Sequence, residues 1–361
     1  MSILPANRHP HKIRVLIVDD SLLIRTVLGQ MLKGFQDIQV VGEAEDGMDA
    51  VRSVTRLKPD VVTMDIRMPR MDGLEATRQI MQNAPTRIIV VANSIHDADF
   101  NISFKAIEAG ALTVVEKPRG LTSSDYDAIQ HQLVSAVRMV ADLKVVARWP
   151  GAAMSLAPQT LPPALQNRRV QVVAMAASTG GPAVLRQILS QLPADFAFPI
   201  VIVQHITAGF VDHMVSWLSS EVKIRVAVAK AGDRLEPGRA LIAPSGRHLA
   251  VTGAGTIAIE DGPPIRGQRP SAERLFLSLA QSYRAATVGI ILTGMGDDGA
   301  DGIQALGKTG AYIMAQNEQT SVVFGMPAQA IQRGVVDDVL SPDEIARNLI
   351  ALHKAHKKQK T

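Results

Sequence analysis

The 361-residue sequence contains no cysteine. This absence excludes disulfide bonds, thiolate catalysis and zinc or iron–sulfur sites built on cysteine ligands. We therefore expect any nucleophile in the chain to be a hydroxyl or a carboxylate. Aromatic residues are also scarce, at 4% of the chain, and no basic stripe is interleaved with them. We therefore expect no nucleic-acid binding.

Long apolar runs are missing too. No run approaches the roughly 18 residues that a membrane-spanning helix requires, so we expect no membrane insertion. Residues 1–12 form a tail without the apolar stretch of a secretory signal, which predicts a cytoplasmic protein. The formal net charge is +4, and residues 351–361 form a basic tail whose lysines supply an excess of this size. We interpret this tail as a solvated end of the chain.

A regular alternation of strand-like and helix-like segments fills most of the sequence. Over residues 13–146, β-branched apolar runs alternate five times with apolar residues at helical spacing. This pattern predicts a doubly wound, flavodoxin-like α/β domain with a five-stranded parallel sheet. Residues 147–167 are proline-rich without a period, and are predicted to be a linker. The alternation returns over residues 168–350 and predicts a second, larger, mostly parallel α/β domain, in which one or two strands run antiparallel.

Acidic residues and one lysine stand at three predicted strand ends of the first domain. Asp19 and Asp20 end the first strand, Asp65 ends the third, and Lys117 follows the fifth. Ligands gather at the carboxyl ends of parallel strands, so we expect these side chains to lie together. Three carboxylates repel each other unless a divalent cation lies among them, and hard oxygen ligands suit Mg²⁺. A lone Asp at a strand end is commonly a helix cap, but this set predicts a magnesium site.

This constellation resembles the receiver domain of two-component response regulators. The residues that carry the resemblance lie at strand ends and in the loop after the third strand: Asp19-Asp20, Asp65, Met68-Pro69, Met71-Asp72-Gly73 and Lys117-Pro118. The resemblance implies that Asp65 accepts a phosphoryl group from a histidine kinase. It implies that Asp20, Asp65 and the backbone carbonyl of Arg67 hold Mg²⁺, with Asp19 assisting. Lys117 would pair with the phosphoryl oxygens.

The end of the fourth strand departs from the receiver pattern. Receivers usually place Ser or Thr there to bond the phosphoryl group, whereas this sequence has Asn93 followed by Ser94. Either the Asn93 amide or the Ser94 hydroxyl takes this role, and the sequence does not decide between them.

A second constellation begins with Ser178, which follows a predicted strand and precedes a predicted helix. Residues 176–182 read Ala-Ala-Ser-Thr-Gly-Gly-Pro. The two glycines permit a tight turn, and proline suits a first helical position. Ser178 would then project from the strand end, near backbone N–H groups that can stabilise an oxyanion. On its own, such a turn is more often a structural N-cap than a nucleophile.

Two further strand ends favour the nucleophile. His205 follows the second strand of this domain, and Asp297 and Asp298 follow the strand over residues 288–292. A serine hydroxyl becomes nucleophilic when an imidazole removes its proton, and a carboxylate fixes the tautomer of that imidazole. Ser178, His205 and one of the two aspartates can fill these roles. Spacing alone does not decide between Asp297 and Asp298.

From residue 170 to about residue 340 the chain resembles the catalytic domain of chemotaxis protein-glutamate methylesterases. There is no G-x-S-x-G motif, which sets the chain apart from α/β-hydrolases. The matching blocks occur in order along the chain: 177–182, 204–205 with 208–210, 242–244, 269–271, 292–299, 315–318 and 322–327. Together they are a specific match, whereas any one of them is not.

The methylesterase resemblance assigns roles to these residues. It implies that Ser178 is the nucleophile, that His205 is the general base and then acid, and that Asp298 orients the imidazole, because the family pattern leaves the first aspartate variable. It implies that the Met295 backbone N–H stabilises the oxyanion and that Thr179 positions His205. No cofactor is implied for the esterase reaction.

The resemblance also implies partners and control. The substrates would be glutamyl methyl esters on methyl-accepting chemoreceptors, with glutamine deamidation as a further activity, and a chemotaxis histidine kinase would be the phosphodonor. We hypothesise that the unphosphorylated receiver covers the surface that bears Ser178, and that phosphorylation of Asp65 opens it. The predicted linker is long enough for this.

Two other interpretations compete with the hydrolase. Residues 294–299 also satisfy G-x-G-x-x-G after a strand, with Glu318 about 20 residues further on, as a dinucleotide site requires. Two carboxylates in that loop would, however, repel a pyrophosphate. The other alternative is a receiver joined to a binding module that is not an enzyme, but a pure adaptor has no need of Ser178 and His205.

Overall fold

The computed structural model describes residues 11–92, 97–118, 126–141, 143, 165–166, 168–207 and 209–360. The chain divides into two compact units, Met1–Pro150 and Gly151–Thr361. Most of the predicted linker lies outside the described residues, and the domain boundaries derived from the sequence stay predictions.

The first unit contains a five-stranded sheet in the order β2-β1-β3-β4-β5. Every neighbouring pair of strands is parallel, as the sequence predicted. The strands are β1 (Ile13–Val18), β2 (Ile38–Ala44), β3 (Val61–Asp65), β4 (Arg87–Ala92) and β5 (Thr113–Glu116). The described helices of this unit are α1 (Leu22–Lys33), α2 (Gly47–Leu57), α3 (Gly73–Asn83), α4 (Asp97–Glu108) and α5 (Tyr126–Ala141).

Polar caps start the helices immediately after the strand ends. The side chains of Ser21, Asp46 and Asp72 accept hydrogen bonds from backbone N–H groups in the first turns of α1, α2 and α3. Such caps satisfy N–H groups that have no partner within the helix. The central strand β3 is buried along its whole length, as expected for a parallel sheet covered by helices on both faces. Polar side chains of this unit therefore gather at the carboxyl ends of its strands.

The second unit contains a seven-stranded sheet in the order β14-β13-β12-β6-β7-β9-β8. All its neighbouring pairs are parallel. A separate antiparallel pair joins β10 to β11. The strands are β6 (Val172–Ala177), β7 (Ile200–Gln204), β8 (Arg225–Val228), β9 (Arg239–Ile242), β10 (His248–Val251), β11 (Ile257–Glu260), β12 (Thr287–Ile291), β13 (Tyr312–Gln316) and β14 (Asp338–Leu340).

Helices of the second unit mostly connect the parallel strands. They are α6 (Gly181–Leu189), α7 (Val211–Glu221), α8 (Ala272–Ser282), α9 (Ala300–Lys308), α10 (Met326–Gln332) and α11 (Pro342–Lys360), with a short 3₁₀ turn at Arg284–Ala286. The predicted parallel α/β class is confirmed. The sequence pattern did not identify β10, β11 or β14. The pair of β10 and β11 is antiparallel, and such a pair was expected in this domain although its position was not predicted.

The end of the chain differs from the solvated tail that its lysines suggested. Residues 351–360 continue α11, and Leu352 and His353 are buried within it. The His353 ring accepts a hydrogen bond from the Ala197 N–H at 3.1 Å and stacks on Phe196. Buried residues on one face of this lysine-rich end of α11 therefore pack against the rest of the second unit. Within the described ranges, no helix has the length and apolar character needed to cross a bilayer.

We predict that Gly73→Ala destabilises the first unit. A Cβ atom at this position would lie 1.9 Å from the Asp65 carbonyl oxygen, so the backbone must move. Overpacking of this kind typically costs about 1–3 kcal/mol. Hydrogen exchange followed by mass spectrometry would measure the opening free energy of peptides from β3 separately from those of the second unit.

Gly34→Ala is the matched control for Gly73→Ala. Gly34 has an ordinary helical φ of −70°, and a Cβ there would meet nothing within 4 Å. We expect this change to be neutral, or to stabilise by about 0.4–1 kcal/mol. Unchanged protection of β3 in the Gly73 variant would contradict the close contact.

Candidate functional site

The first unit gathers three carboxylates at the ends of β1 and β3. Asp19, Asp20 and Asp65 each present an oxygen atom, and these oxygens lie within 4.8 Å of one another. Asp19 and Asp65 are buried, whereas Asp20 is exposed. Oxygen donors at this density, open to solvent on one side, fit Mg²⁺, which keeps several of its waters. The role of the Arg67 carbonyl as a further ligand stays a prediction.

Lys117 follows β5 and reaches into this acidic cluster. Its Nζ lies 2.8 Å from Asp19 Oδ2 and 2.9 Å from Asp65 Oδ2. The other Asp65 oxygen, Oδ1, accepts the Ile66 N–H at 2.8 Å. Burial, and then the charge of Asp19, raise the pKa of Asp65 to about 6, against the opposing pull of Lys117. One ammonium thus faces three carboxylates, and the excess of negative charge favours a cation.

The structure brings the three carboxylates and Lys117 together, as the strand ends predicted. One further residue was predicted after β4, to bond the phosphoryl group. Asn93 and Ser94 lie outside the described residues. The choice between them as the residue that bonds the phosphoryl group therefore stays open.

In the second unit, the three predicted catalytic residues follow three adjacent strands. Ser178 follows β6, His205 follows β7, and Asp298 lies in the loop after β12, and these strands are neighbours in the order β12-β6-β7. His205 Nε2 lies 2.8 Å from Asp298 Oδ2, and both side chains are almost entirely buried. Ser178 is half-buried, and its N–H donates to the Thr293 carbonyl at 2.9 Å. The strand ends therefore place the imidazole on its carboxylate, and Ser178 follows the strand that lies between theirs.

Asp298 is held in a network of hydrogen bonds at the start of α8. Ser271, the N-cap of this helix, donates its hydroxyl to Asp298 Oδ1 at 2.5 Å, and the Ala272 N–H donates to Oδ2 at 2.7 Å. Burial alone would raise the pKa of Asp298, but hydrogen bonds from His205, Ser271 and Ala272 together hold the pKa of this carboxyl below its usual range. The group facing His205 is thus a carboxylate anion.

Asp297 points to a different partner. Its carboxylate pairs with Arg266 and is about half exposed, at 45%. The neighbouring Asp301 pairs with the same guanidinium and with Arg333. The structure therefore separates the two aspartates that spacing could not separate, and it is Asp298 that reaches His205.

The loop after β12 lies directly against the serine. A Cβ added to Gly294 would be 2.7 Å from Ser178 Cβ, so only glycine lets the loop come this close. Met295 is the next residue, with an exposed side chain. Thr179 is buried, and its carbonyl accepts the Thr293 hydroxyl at 2.9 Å. Both residues therefore lie in the loops around Ser178. The oxyanion role of the Met295 N–H and the positioning of His205 by Thr179 stay predictions.

Sequence reasoning gave no role to Ser271, although this residue belongs to one of the matching blocks. Its hydroxyl both caps α8 and holds Asp298. A serine directly before a helical pattern is a recognisable N-cap signal. Nothing in the linear sequence, however, shows that a carboxylate 27 residues later shares that cap.

Serine, histidine and aspartate residues at adjacent strand ends are typical of a serine hydrolase, joined here to an α/β unit with an acidic pocket. The family model described as CheB methylesterase matches residues 173–349, and that of the response regulator receiver domain matches residues 15–123. The chain belongs to the family of receiver-linked CheB methylesterases, and the resemblance proposed from the sequence is confirmed.

Two curated relatives cover nearly the whole chain. Protein-glutamate methylesterase/protein-glutamine glutaminase 1 of Syntrophus aciditrophicus (strain SB) is 44% identical over 347 residues, which are 94% of this chain and 98% of the relative. Protein-glutamate methylesterase/protein-glutamine glutaminase 4 of Myxococcus xanthus (strain DK1622) is 43% identical over 339 residues, 93% of this chain and 96% of the relative. The crystal structure of the Thermotoga maritima CheB methylesterase catalytic domain is 35% identical, with a TM-score of 0.49, and covers 51% of this chain and 98% of its own.

We predict that Asp298→Asn lowers kcat for ester hydrolysis by about 10²–10⁴-fold, because the amide can no longer stabilise the imidazolium or select its tautomer. Asp297→Asn is the matched control, since the same change in the adjacent residue removes only a rim ion pair with Arg266. We expect it to change kcat by less than about threefold. Steady-state hydrolysis of a methyl ester by the two full-length variants would measure this, and equal losses would contradict the assignment of Asp298.

Proposed function

We propose that this chain hydrolyses glutamyl methyl esters on chemoreceptors, and deamidates glutamines there, under the control of phosphorylation at Asp65. The observation that carries the proposal is the buried 2.8 Å contact between His205 Nε2 and Asp298 Oδ2, whose strands flank the strand that Ser178 follows. The curated relatives are named for both activities. The proposed location is the cytoplasm, where a histidine kinase can act as the phosphodonor.

In the proposed reaction, the Ser178 hydroxyl attacks the ester carbonyl. Nε2 is the ring nitrogen of His205 that contacts Asp298, which leaves the buried Nδ1 for the serine. This nitrogen takes the serine proton, and Asp298 stabilises the imidazolium that forms. The C–O bond to the methoxy group then breaks, His205 returns the proton, and methanol leaves an acyl-enzyme on Ser178.

Water completes the cycle in a second step. His205 removes a proton from the water, the hydroxyl adds to the acyl carbon, and Ser178 leaves with the proton from His205. The product is a glutamate side chain. A glutamine side chain follows the same course with ammonia as the leaving group, so one site supports both activities.

In the first unit, Asp65 is the proposed phosphoacceptor. Lys117 contacts its Oδ2 and can neutralise charge on the transferred phosphoryl group. Asp20, Asp65 and the Arg67 carbonyl are the proposed Mg²⁺ ligands, with Asp19 assisting, and the bound ion would supply further neutralisation. Phosphorylation then shifts the chain from a form in which the receiver covers Ser178 to a form in which Ser178 is open.

The central test is methanol release from membranes that carry methylated chemoreceptors, measured with phosphodonor and Mg²⁺ present. We expect Ser178→Ala to lower the rate by at least about 1,000-fold, because the nucleophile is lost. Ser190→Ala is the matched control, since Ser190 caps the far end of α6. Its rate should stay within about twofold of wild type, as for substitutions away from special features. Methanol release by the Ser178 variant at the wild-type rate would overturn the proposal.

We predict that a small phosphodonor with Mg²⁺ raises the esterase rate of the full chain, and that Asp65→Asn abolishes the response. A tenfold rise corresponds to about 1.4 kcal/mol in the equilibrium between the two forms. The response should fade at acidic pH, at values below about 6 when Mg²⁺ is bound. The pKa of Asp65 is raised to about 6, so the carboxylate takes up a proton there and ceases to be a nucleophile.

Bound Mg²⁺ would move this loss to lower pH, because a cation favours the carboxylate. Phosphorylation is followed by gel mobility with a phosphate-binding reagent, and methanol release is measured on the same samples from pH 5 to 8. Equal esterase rates with and without phosphodonor at pH 7.5 would contradict receiver control and leave the hydrolase assignment intact.

A further inference from the structure

The last residue of β7, Gln204, joins the two catalytic residues through its side chain. Its Nε2 lies 2.8 Å from the carbonyl oxygen of Ser178 and 2.8 Å from the carbonyl oxygen of His205. The side chain is buried, with 1% of its surface exposed. A single planar amide therefore spans the nucleophile and the base within the core of the domain.

This bridge begins where the strand ladder ends. The pairing of β6 with β7 runs to Ala177 and Gln204, and the His205 N–H still donates to the Ala177 carbonyl at 2.9 Å. The chain after Ser178 then turns towards α6, and the Gly181 N–H donates back to the Ser178 carbonyl at 2.8 Å. Beyond this point the two strands are joined by the side-chain amide of Gln204, which fixes the distance between their ends.

The hydrogen-bond pattern fixes the orientation of the amide. Both N–H bonds of Nε2 point at carbonyl oxygens, whereas a flipped amide would place its own oxygen against those two acceptors. The oxygen Oε1 is buried and has no hydrogen-bond partner among the described residues. An unsatisfied buried acceptor lowers the stability of the fold. Oε1 of Gln204 therefore destabilises the domain, while Nε2 makes the two hydrogen bonds that hold the catalytic residues.

Gly181 leaves the space that the Gln204 amide fills. A Cβ at Gly181 would lie 2.1 Å from Gln204 Oε1. The neighbouring Gly180 adopts a φ of +77°, whereas Gly181 is not among the glycines with positive φ. The two glycines of the Ser-Thr-Gly-Gly run therefore do different work: Gly180 makes the turn, and Gly181 makes room for the bridge.

We infer that Gln204 is a positioning residue for the hydrolase, which sets the Ser178 hydroxyl within reach of the His205 ring by tying their backbones to one amide. This inference rests on the proposed function. A displacement of about 1 Å between reacting groups can cost on the order of 10²-fold in rate. Gln204 touches neither substrate nor proton in this scheme, so its loss should lower kcat and leave KM nearly unchanged.

The test uses Gln204→Met in the full chain, because Met fills a similar volume and donates no hydrogen bond. Gln204→Asn, which keeps an amide but is one methylene shorter, guards against a folding failure in the Met variant. Asn348→Leu is the matched control: it also removes a buried amide, on α11, where Nδ2 contacts the Met314 sulfur at 3.9 Å. All variants are assayed below their own unfolding temperatures, measured by circular dichroism.

Two rates are measured with phosphodonor and Mg²⁺ present: methanol release from methylated receptors, and labelling of Ser178 by a fluorophosphonate, which needs no receptor. We expect both Gln204 variants to lower kcat and the labelling rate by about 100-fold, with KM within about threefold. Asn348→Leu should keep both rates within about threefold of wild type. Gln204→Met with near wild-type rates would overturn the inference, and so would an equal loss in Asn348→Leu, because general destabilisation would then explain the effect.

The two readouts also separate this inference from the proposed function. A wild-type chain that labels with fluorophosphonate but releases no methanol would refute the proposed substrate, and the labelling rates would still decide the role of Gln204. A wild-type chain that does neither would refute the hydrolase itself, and with it the role of Gln204.

Discussion

The contact between His205 and Asp298 is the constraint on which the arrangement of the second unit depends. Its two side chains come from the ends of strands that are not adjacent, since β6 lies between β7 and β12. The 2.8 Å separation therefore requires that all three strands keep their register and end at the same level. Ser178 follows the middle strand of the three. Parallel pairing of buried strands supplies this alignment, and the loops only need to start where the strands stop.

Both units place their chemistry by the same rule. In the first unit, β1, β3 and β5 end in Asp19, Asp65 and Lys117, which meet within hydrogen-bonding distance. In the second unit, three adjacent strands end in a serine, a histidine and a loop with an aspartate. The electrostatics differ: one unit concentrates negative charge that favours a cation, and the other buries one carboxylate against an imidazole. A common architecture thus underlies the proposed phosphoryl transfer in one half and the proposed acyl transfer in the other.

Strand ends were the part of the site that the sequence could predict. Ser178, His205 and Asp65 stand out because polar residues directly after buried apolar runs must emerge at the sheet edge. Spacing could not separate Asp297 from Asp298, because adjacent loop residues point in different directions, and that direction depends on Arg266 and on the start of α8. Gln204 belongs to one of the matching blocks, but its role could not be predicted, since a glutamine at a strand end looks the same whether it faces solvent or bridges two carbonyls. An antiparallel pair was expected in this domain, but its strands β10 and β11 were not located from the sequence.

The hydrogen bonds that Asp298 accepts from the start of α8 determine where a proton can reside in the site. Its Oδ1 receives the Ser271 hydroxyl, and its Oδ2 receives the Ala272 N–H and faces His205. A carboxylate with its acceptor sites filled in this way is solvated by protein groups in place of water, and it has little capacity to accept another hydrogen. In the proposed reaction, the proton that leaves Ser178 would therefore stop on the imidazole, and the aspartate would keep a constant charge from substrate binding to product release.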